Sequence, residues 1–457
     1  IQVHNAAFAS SDLSSNFWLS FGINNEMEYF EDVPAWFPGA VEYNQTNFKI
    51  SNTGETIYLS DVTGIILDAK YTGDIALAQS IARVPDAGSW CITTDISPSV
   101  SNNSAFCYAG YEPDPVFSIT SGFYTGIQVI ALSSVSATSV IHYTTDGSTV
   151  TELSSVYSFP IIIDENTVIS AKCFSSGILL PGKMIKQTYF INEDEYTLPI
   201  LSISIDPGSL FDYDTGIYEL GCCYDGAYPY FGANFWQPWE RFAHIEYFTE
   251  DGIPQWNKDM SLEIHGGWSR AEAQKGFRVD FKNQYDGALD YPLFGAKPEL
   301  GEINNFNLRN GGQHVWSYKF QDAFLAKVMK ETHIDYEEWQ PCMLFINGQP
   351  WGLYEIREKA DEHFVESNYG VDNNNVDFLN AWGALNGSDT GFVNLYYQLM
   401  ALDPASEAFY NKFETNVDVE NYIDYYIGEI YYQNVDFGGY YWCCLLYTSD
   451  AADERSS

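Results

Sequence analysis

The sequence predicts a multidomain protein in which two all-β units precede an α+β domain. Three observations carry this. The 457 residues exceed what one hydrophobic core usually organises. The N-terminal part consists of short runs rich in Ile, Val, Thr, Tyr and Phe. These runs alternate at period two and are broken by turns containing Asn, Asp and Gly. Helical spacing of apolar residues enters only in the C-terminal part, mixed there with further strand runs.

Hydrophobic residues make up 46% of the chain, enough to build packed cores, so disorder is not the expectation. Asp and Glu number 62 against 21 Lys and Arg, a net charge of −41. A phosphate backbone needs clustered cations, so this balance argues against nucleic acid as a partner. It argues equally against an anionic membrane surface. The charge suits solubility in an extracellular medium, or the binding of divalent cations. None of the eight cysteines shows zinc-ligand spacing with His. Cys91 and Cys107 could pair within one loop and Cys222-Cys223 could cap another, but packing roles are equally open. No run of about 18 apolar residues is present, so no membrane span is expected.

Residues 1–112 read as the first β unit. Asn47–Ser51 and Glu55–Leu59 alternate around Asn52-Thr53-Gly54, and Ile65–Asp68 follows a turn at Thr63-Gly64. Residues 113–193 read as the second. There Ile141-His142-Tyr143-Thr144-Thr145 runs into an Asp146-Gly147 turn, and Thr167–Lys172 is a further strand. The polar stretch Glu193-Asp194-Glu195 reads as a hinge to the third unit, 194–443. That unit holds helical spacing over Phe320–Lys330 and from about Asp418 to Tyr432, with Asp418 as N-cap. It also holds a hairpin signal, two apolar runs joined through Asn347-Gly348.

The order Asn47-Phe48-Lys49, Gly54-Glu55, Tyr58-Leu59, Ser80, Ala82-Arg83, Pro85-Asp86 and Trp90 resembles a lamin-tail domain over about 45–105. The Tyr143-Thr144-Thr145-Asp146-Gly147-Ser148 run resembles the immunoglobulin-like domain at the C-terminal end of chitobiase-type proteins. In the third unit, Glu263–Arg270, Lys275-Gly276-Phe277-Arg278, Tyr291-Pro292-Leu293-Phe294, Leu308–Gly312 and Asn347–Lys359 together resemble the spore-coat protein H (CotH) family of atypical kinases, over about 197–442. These resemblances imply two N-terminal all-β immunoglobulin-like sandwiches followed by an α+β atypical protein-kinase-like domain. They further imply transfer of phosphate from ATP, with Mg or Mn, to Ser of a secreted or surface protein. They place the protein outside the cell or on its surface, with cell-wall or plant polysaccharide as a partner of the β units.

Phosphoryl transfer needs cations at the phosphates, metal-binding acceptors and a group that orients the hydroxyl. The family resemblance places a phosphate-contacting Lys at Lys275, with Arg270 and Arg278 as neighbouring cofactor-binding cations. Either Arg could instead pair with local carboxylates on a sheet face. Glu358 would pair with Lys275 as a kinase Glu pairs with its strand Lys, or stand as one solvent-facing charge among Arg357, Lys359 and Asp361. Asp436 is the catalytic candidate, in the base-like role of the family's Asn-x-Asp segment. A few residues beyond it, where kinase loops carry a metal-binding Asn, this chain has Tyr441, and the metal ligands stay unassigned. The other reading is a non-catalytic surface or carbohydrate-associated scaffold with a pseudokinase domain.

Two expectations concern the ends. Ile1-Gln2-Val3 lacks a Met and a leader pattern and reads as the interior of a longer frame. The run Cys444–Glu454 resembles translated sequencing adapter, so 444–457 is expected to be non-native and the kinase-like domain incomplete and inactive in this chain.

Overall fold

The computed structural model describes residues 2–3, 6–7 and 54–433, apart from positions 62, 63, 74, 77, 78, 96–100, 381 and 382. The strand expected over 47–51 and the segment 444–457 lie outside the described residues.

The N-terminal region is mostly β. Thr56–Ser60 pairs antiparallel with Ile66–Tyr71, and Ser80–Val84 forms a hairpin with Ser89–Thr93. Cys91 and Cys107 are joined in a disulfide, as are the adjacent Cys222 and Cys223. Cys173 and Cys342 are free and buried, so the packing role holds for them.

The second unit packs a five-stranded sheet against two short ladders. In the sheet, Thr167–Phe174 lies between Val140–Thr144 and Ile185–Ile191. Gln128–Ile130 pairs with Ile161–Ile163 and Leu132–Ser133 with Val116–Phe117. Ile130, Ile169, Ala171, Cys173 and Tyr189 fill the space between them, all at 0% exposure.

The third unit is a closed seven-stranded barrel with helices appended. Its strands are β1 (Ile200–Ile205), β2 (Arg241–Phe248), β3 (Pro254–His265), β4 (Gly276–Asp280), β5 (Asn305–Arg309), β6 (Trp339–Ile346) and β7 (Gln349–Arg357). The order around the barrel is β1-β2-β3-β4-β5-β7-β6, and a parallel β1–β6 pairing closes it. Closure removes the exposed edges that an open sheet would leave. The β6–β7 hairpin is the one legible in the sequence. Asn347 (φ 50°) and Gly348 (φ 78°) both take the left-handed region that a tight hairpin turn requires. Alternate residues point inward, among them Leu201, Ile203, Ile245, Leu262, Phe277, Val279, Phe306, Leu308, Leu344 and Ile356, and form the main core.

Besides a short turn of helix at Pro207–Phe211, the described helices are α1 (Gln321–Val328), α2 (Glu362–Tyr369), α3 (Thr390–Met400), α4 (Glu407–Asn416) and α5 (Val419–Tyr431). Asp418 caps α5 as expected, its side chain accepting from Asn421 N–H at 3.0 Å. The stretch read as a hinge at Glu193 is held in place, with Glu193 accepting from Tyr196 Oη (2.8 Å) and from Asn166 Nδ2. The second unit lies directly on the barrel. Thr188 and Ser202 share a hydroxyl hydrogen bond of 2.8 Å, and Phe190 packs against Ile200, Phe248 and Phe345.

Candidate active site

The outer face of β3, β4, β5 and β7 is polar, because inward and outward residues alternate and the inward set is apolar. Register places Glu263, Arg278, Asn307, Arg357 and Trp339 directly opposite one another across four successive ladders. A row of charge and amide therefore runs across the outside of the barrel. Arg278 NH1 lies 3.0 Å from Glu263 and its Nε 3.0 Å from Asp280. Burial works against the guanidinium charge, but Asp280 and Glu263 outweigh it and hold its pKa above the ordinary range. Arg357 forks onto Asp322 (2.7 and 3.2 Å) and also meets Glu355, while Arg309 reaches the same Asp322 at 3.0 Å. Asp322 stands in the first turn of α1, so this carboxylate docks the helix onto the barrel.

Solvent access separates the three arginines. The Arg278 side chain is 31% exposed, against 6% for Arg309 and 3% for Arg357. Arg278 is thus the member of the row that a solute can reach. Next to Arg357, Glu337 and Glu355 are both buried, and burial pushes each carboxyl up to about 7 despite the nearby arginines.

The structure does not bring the other sequence candidates together as expected. Glu358 does not meet Lys275. Its carboxylate pairs with Lys297 Nζ at 2.6 Å and accepts from Glu338 N–H (2.6 Å) and Asn368 Nδ2 (3.1 Å). It is not a solvent-facing charge either. Lys297 donates further to Tyr336 O (2.8 Å) and Asn368 Oδ1 (2.9 Å), which uses all three of its N–H bonds. It also lines a cleft with Tyr291, Leu293, Phe294, Leu300 and Ile303. Lys275 is enclosed. Its Nζ lies 4.0 Å from the Phe235 ring centroid and 5.1 Å from that of Tyr218, and donates to Arg270 O and Glu272 O. Burial pushes its pKa down to about 8. Its cation pins the 266–275 loop and is not displayed to solvent.

Arg270 helps to hold the same loop, with Nε donating to Gly266 O and the guanidinium 5.6 Å from the Trp236 ring centroid. Gly266 is required there. It sits at φ 116°, and a Cβ would come within 2.5 Å of Ser269 Oγ. Asp436 lies outside the described residues. Among the described residues no group of three or more His, Cys, Asp or Glu is arranged to hold a metal ion. Sequence reasoning missed Lys297 as the partner of Glu358. One signal was present: Lys297 is among only 21 cations and stands in a Pro-punctuated loop with no other role assigned.

Comparisons with known families match two spans of the chain. Residues 262–455 match the CotH kinase protein family. Residues 119–182 match the chitobiase/beta-hexosaminidase C-terminal domain and fall within the second β unit. The CotH match opens inside β3, so the barrel that carries it extends upstream of the matched span to β1. It runs on through 444–455, the segment that the sequence reading set aside. No curated protein matched the chain. Among the described residues no helix is long and apolar enough to cross a membrane.

Proposed function

We propose that the CotH-like unit is an atypical protein kinase that transfers phosphate from ATP to Ser of a secreted or surface protein. The observation that carries this is Arg278, the accessible cation of the outer row. It is held by Glu263 across the β3–β4 ladder in the manner of a kinase cation–carboxylate pair. Its planar fork suits two phosphate oxygens. Arg278, supported by Asn307 beside it, would contact the ATP phosphates, and bound Mg or Mn would neutralise further phosphate charge. Asp436 would orient or deprotonate the acceptor hydroxyl. The two disulfides fit a secreted or cell-surface setting.

Calorimetric titration of ATP with Mg²⁺ or Mn²⁺ tests this in the native chain, Arg278→Gln and Lys275→Ala. Arg278→Gln should weaken binding by roughly 1–3 kcal/mol, the scale of a charge-assisted contact. Lys275→Ala, which removes the phosphate contact that the family resemblance implies, should weaken it less. Unchanged affinity in a folded Arg278→Gln variant removes Arg278 from the site. The other reading, a non-catalytic surface scaffold, is favoured by one observation: Arg278 already has two carboxylate partners. Absence of any ATP binding by the native chain would select that reading.

A further inference from the structure

A cluster of exposed rings gathers around Trp268 and Glu272 of the 266–275 loop. The geometry points to a binding platform for a neutral polysaccharide, built from Tyr228, Phe231, Trp268 and Trp316 and organised by Glu272. Three separate loops converge here. Trp268 meets Tyr228 edge-on at 5.8 Å and Phe231 at 6.3 Å between centroids. Glu272 then fixes two rings at once, accepting from Tyr228 Oη at 3.1 Å and from Trp316 Nε1 at 2.8 Å. Trp316 is nevertheless 73% exposed, Tyr228 49% and Trp268 41%. Tyr228 and Trp316, held by their polar edges with apolar surface left in water, are preorganised for a ligand, because little side-chain freedom remains to be lost on binding.

The donor–acceptor balance selects the ligand class. Proline-rich peptides dock on aromatic grooves whose Trp and Tyr donors reach peptide carbonyls. Here the Tyr228 and Trp316 donors are committed to Glu272, and the platform presents at its centre a carboxylate, an acceptor only. The ligand must therefore bring hydroxyl donors and an apolar face, as a sugar ring does. The net charge of −41 and the carboxylate at the centre disfavour an anionic polymer. This inference stands independently of the kinase reading, and it places a sugar contact on the barrel unit.

The test is retention of the full chain on insoluble cellulose, chitin and xylan, with soluble polygalacturonate and a decaproline peptide as alternatives. Retention on at least one neutral polymer is expected. It should fall about tenfold in Trp268→Ala and in Trp316→Ala, a loss that corresponds to one stacking partner. It should fall also in Glu272→Gln, and stay at the native level in Tyr397→Ala on α3. Circular dichroism confirms that each variant is folded, and the high exposure of Trp316 makes its removal benign. The proposal is overturned if no neutral polymer retains the native chain, or if the Trp268→Ala/Trp316→Ala double variant is retained as well as native. Binding to decaproline alone, lost in the same variants, would reassign the platform to peptide.

Discussion

Glu358 closes a 2.6 Å ion pair with Lys297, a residue 61 positions earlier in the chain. Both side chains are at most 10% exposed, and the pair joins the end of β7 to the loop between β4 and β5. Glu358 also accepts from Asn368 on α2, so the carboxylate ties the strand-to-helix crossing to that loop.

Removing one partner of such a pair leaves a buried charge uncompensated, which costs about 3–5 kcal/mol. Lys297→Ala should lower the free energy of unfolding by that order. Lys297→Met combined with Glu358→Gln should recover most of the loss, since neither charge then remains. Urea denaturation of the two variants decides. A cost under about 1 kcal/mol in the single variant would show the pair to be solvated.

Stability should fall as pH rises through the window set by Glu337. Its carboxyl ordinarily ionises near 4.5, and burial raises this to about 7 in the folded chain. Between those values the folded state holds a proton that the unfolded chain has lost. The stabilisation is therefore full below about 4.5 and gone above about 7, at a slope of roughly 1 kcal/mol per pH unit. Glu355, also pushed up to about 7, should add to the same slope. Urea midpoints measured from pH 5 to pH 8 should decline, and Glu337→Gln should make the decline shallower. A flat native profile would mean that Glu337 is ionised in the fold at no cost.

The hairpin and the Asp418 cap were legible because each is a local event. Asn347-Gly348 supplies the positive φ of its turn, and Asp418 needs only the N–H of Asn421. The partner of Glu358 was not legible, because the loop carrying Lys297 has no period and is positioned by barrel closure. Closure itself rests on the parallel pairing of Ile200–Ile203 with Met343–Ile346, which no spacing announces. Arg278 was read as either a phosphate contact or a paired charge. The structure shows the pairing, and the exposure of Arg278 keeps the first role open to experiment.

Asp436→Asn should lower phosphate transfer by about 10²-fold or more while leaving ATP affinity near native, the mark of a group that acts on the reacting hydroxyl. Radiolabel transfer to a protein acceptor, run beside the calorimetric titration, separates the two effects. A near-native rate would take Asp436 out of the mechanism.

The second β unit and the barrel should unfold as one. Phe190 is fully buried between them, stacked on Phe123 at 4.4 Å and meeting Phe345 at 4.7 Å and Phe248 at 5.6 Å. Truncating a buried Phe costs about 3–5 kcal/mol. Phe190→Ala should therefore lower the unfolding of both units together, although the residue belongs to one. The contact has a second anchor. Asn347, at the β6–β7 turn, accepts from Ile205 N–H (2.9 Å) and donates to Ile205 O (2.8 Å), and its side chain fills the space over Gly147. A Cβ at Gly147 would lie 2.3 Å from Asn347 Oδ1, at a φ of +85° that is itself strained for any other residue. Gly147→Ala should thus loosen the junction without touching either core. Scanning calorimetry should show one transition for the native chain. In Gly147→Ala the β-unit transition should move to lower temperature and separate from that of the barrel. If Gly147→Ala melts as native does, the two units are not coupled through Asn347, and the single transition rests on the Phe190 cluster and the polar contacts beside it, such as Thr188–Ser202.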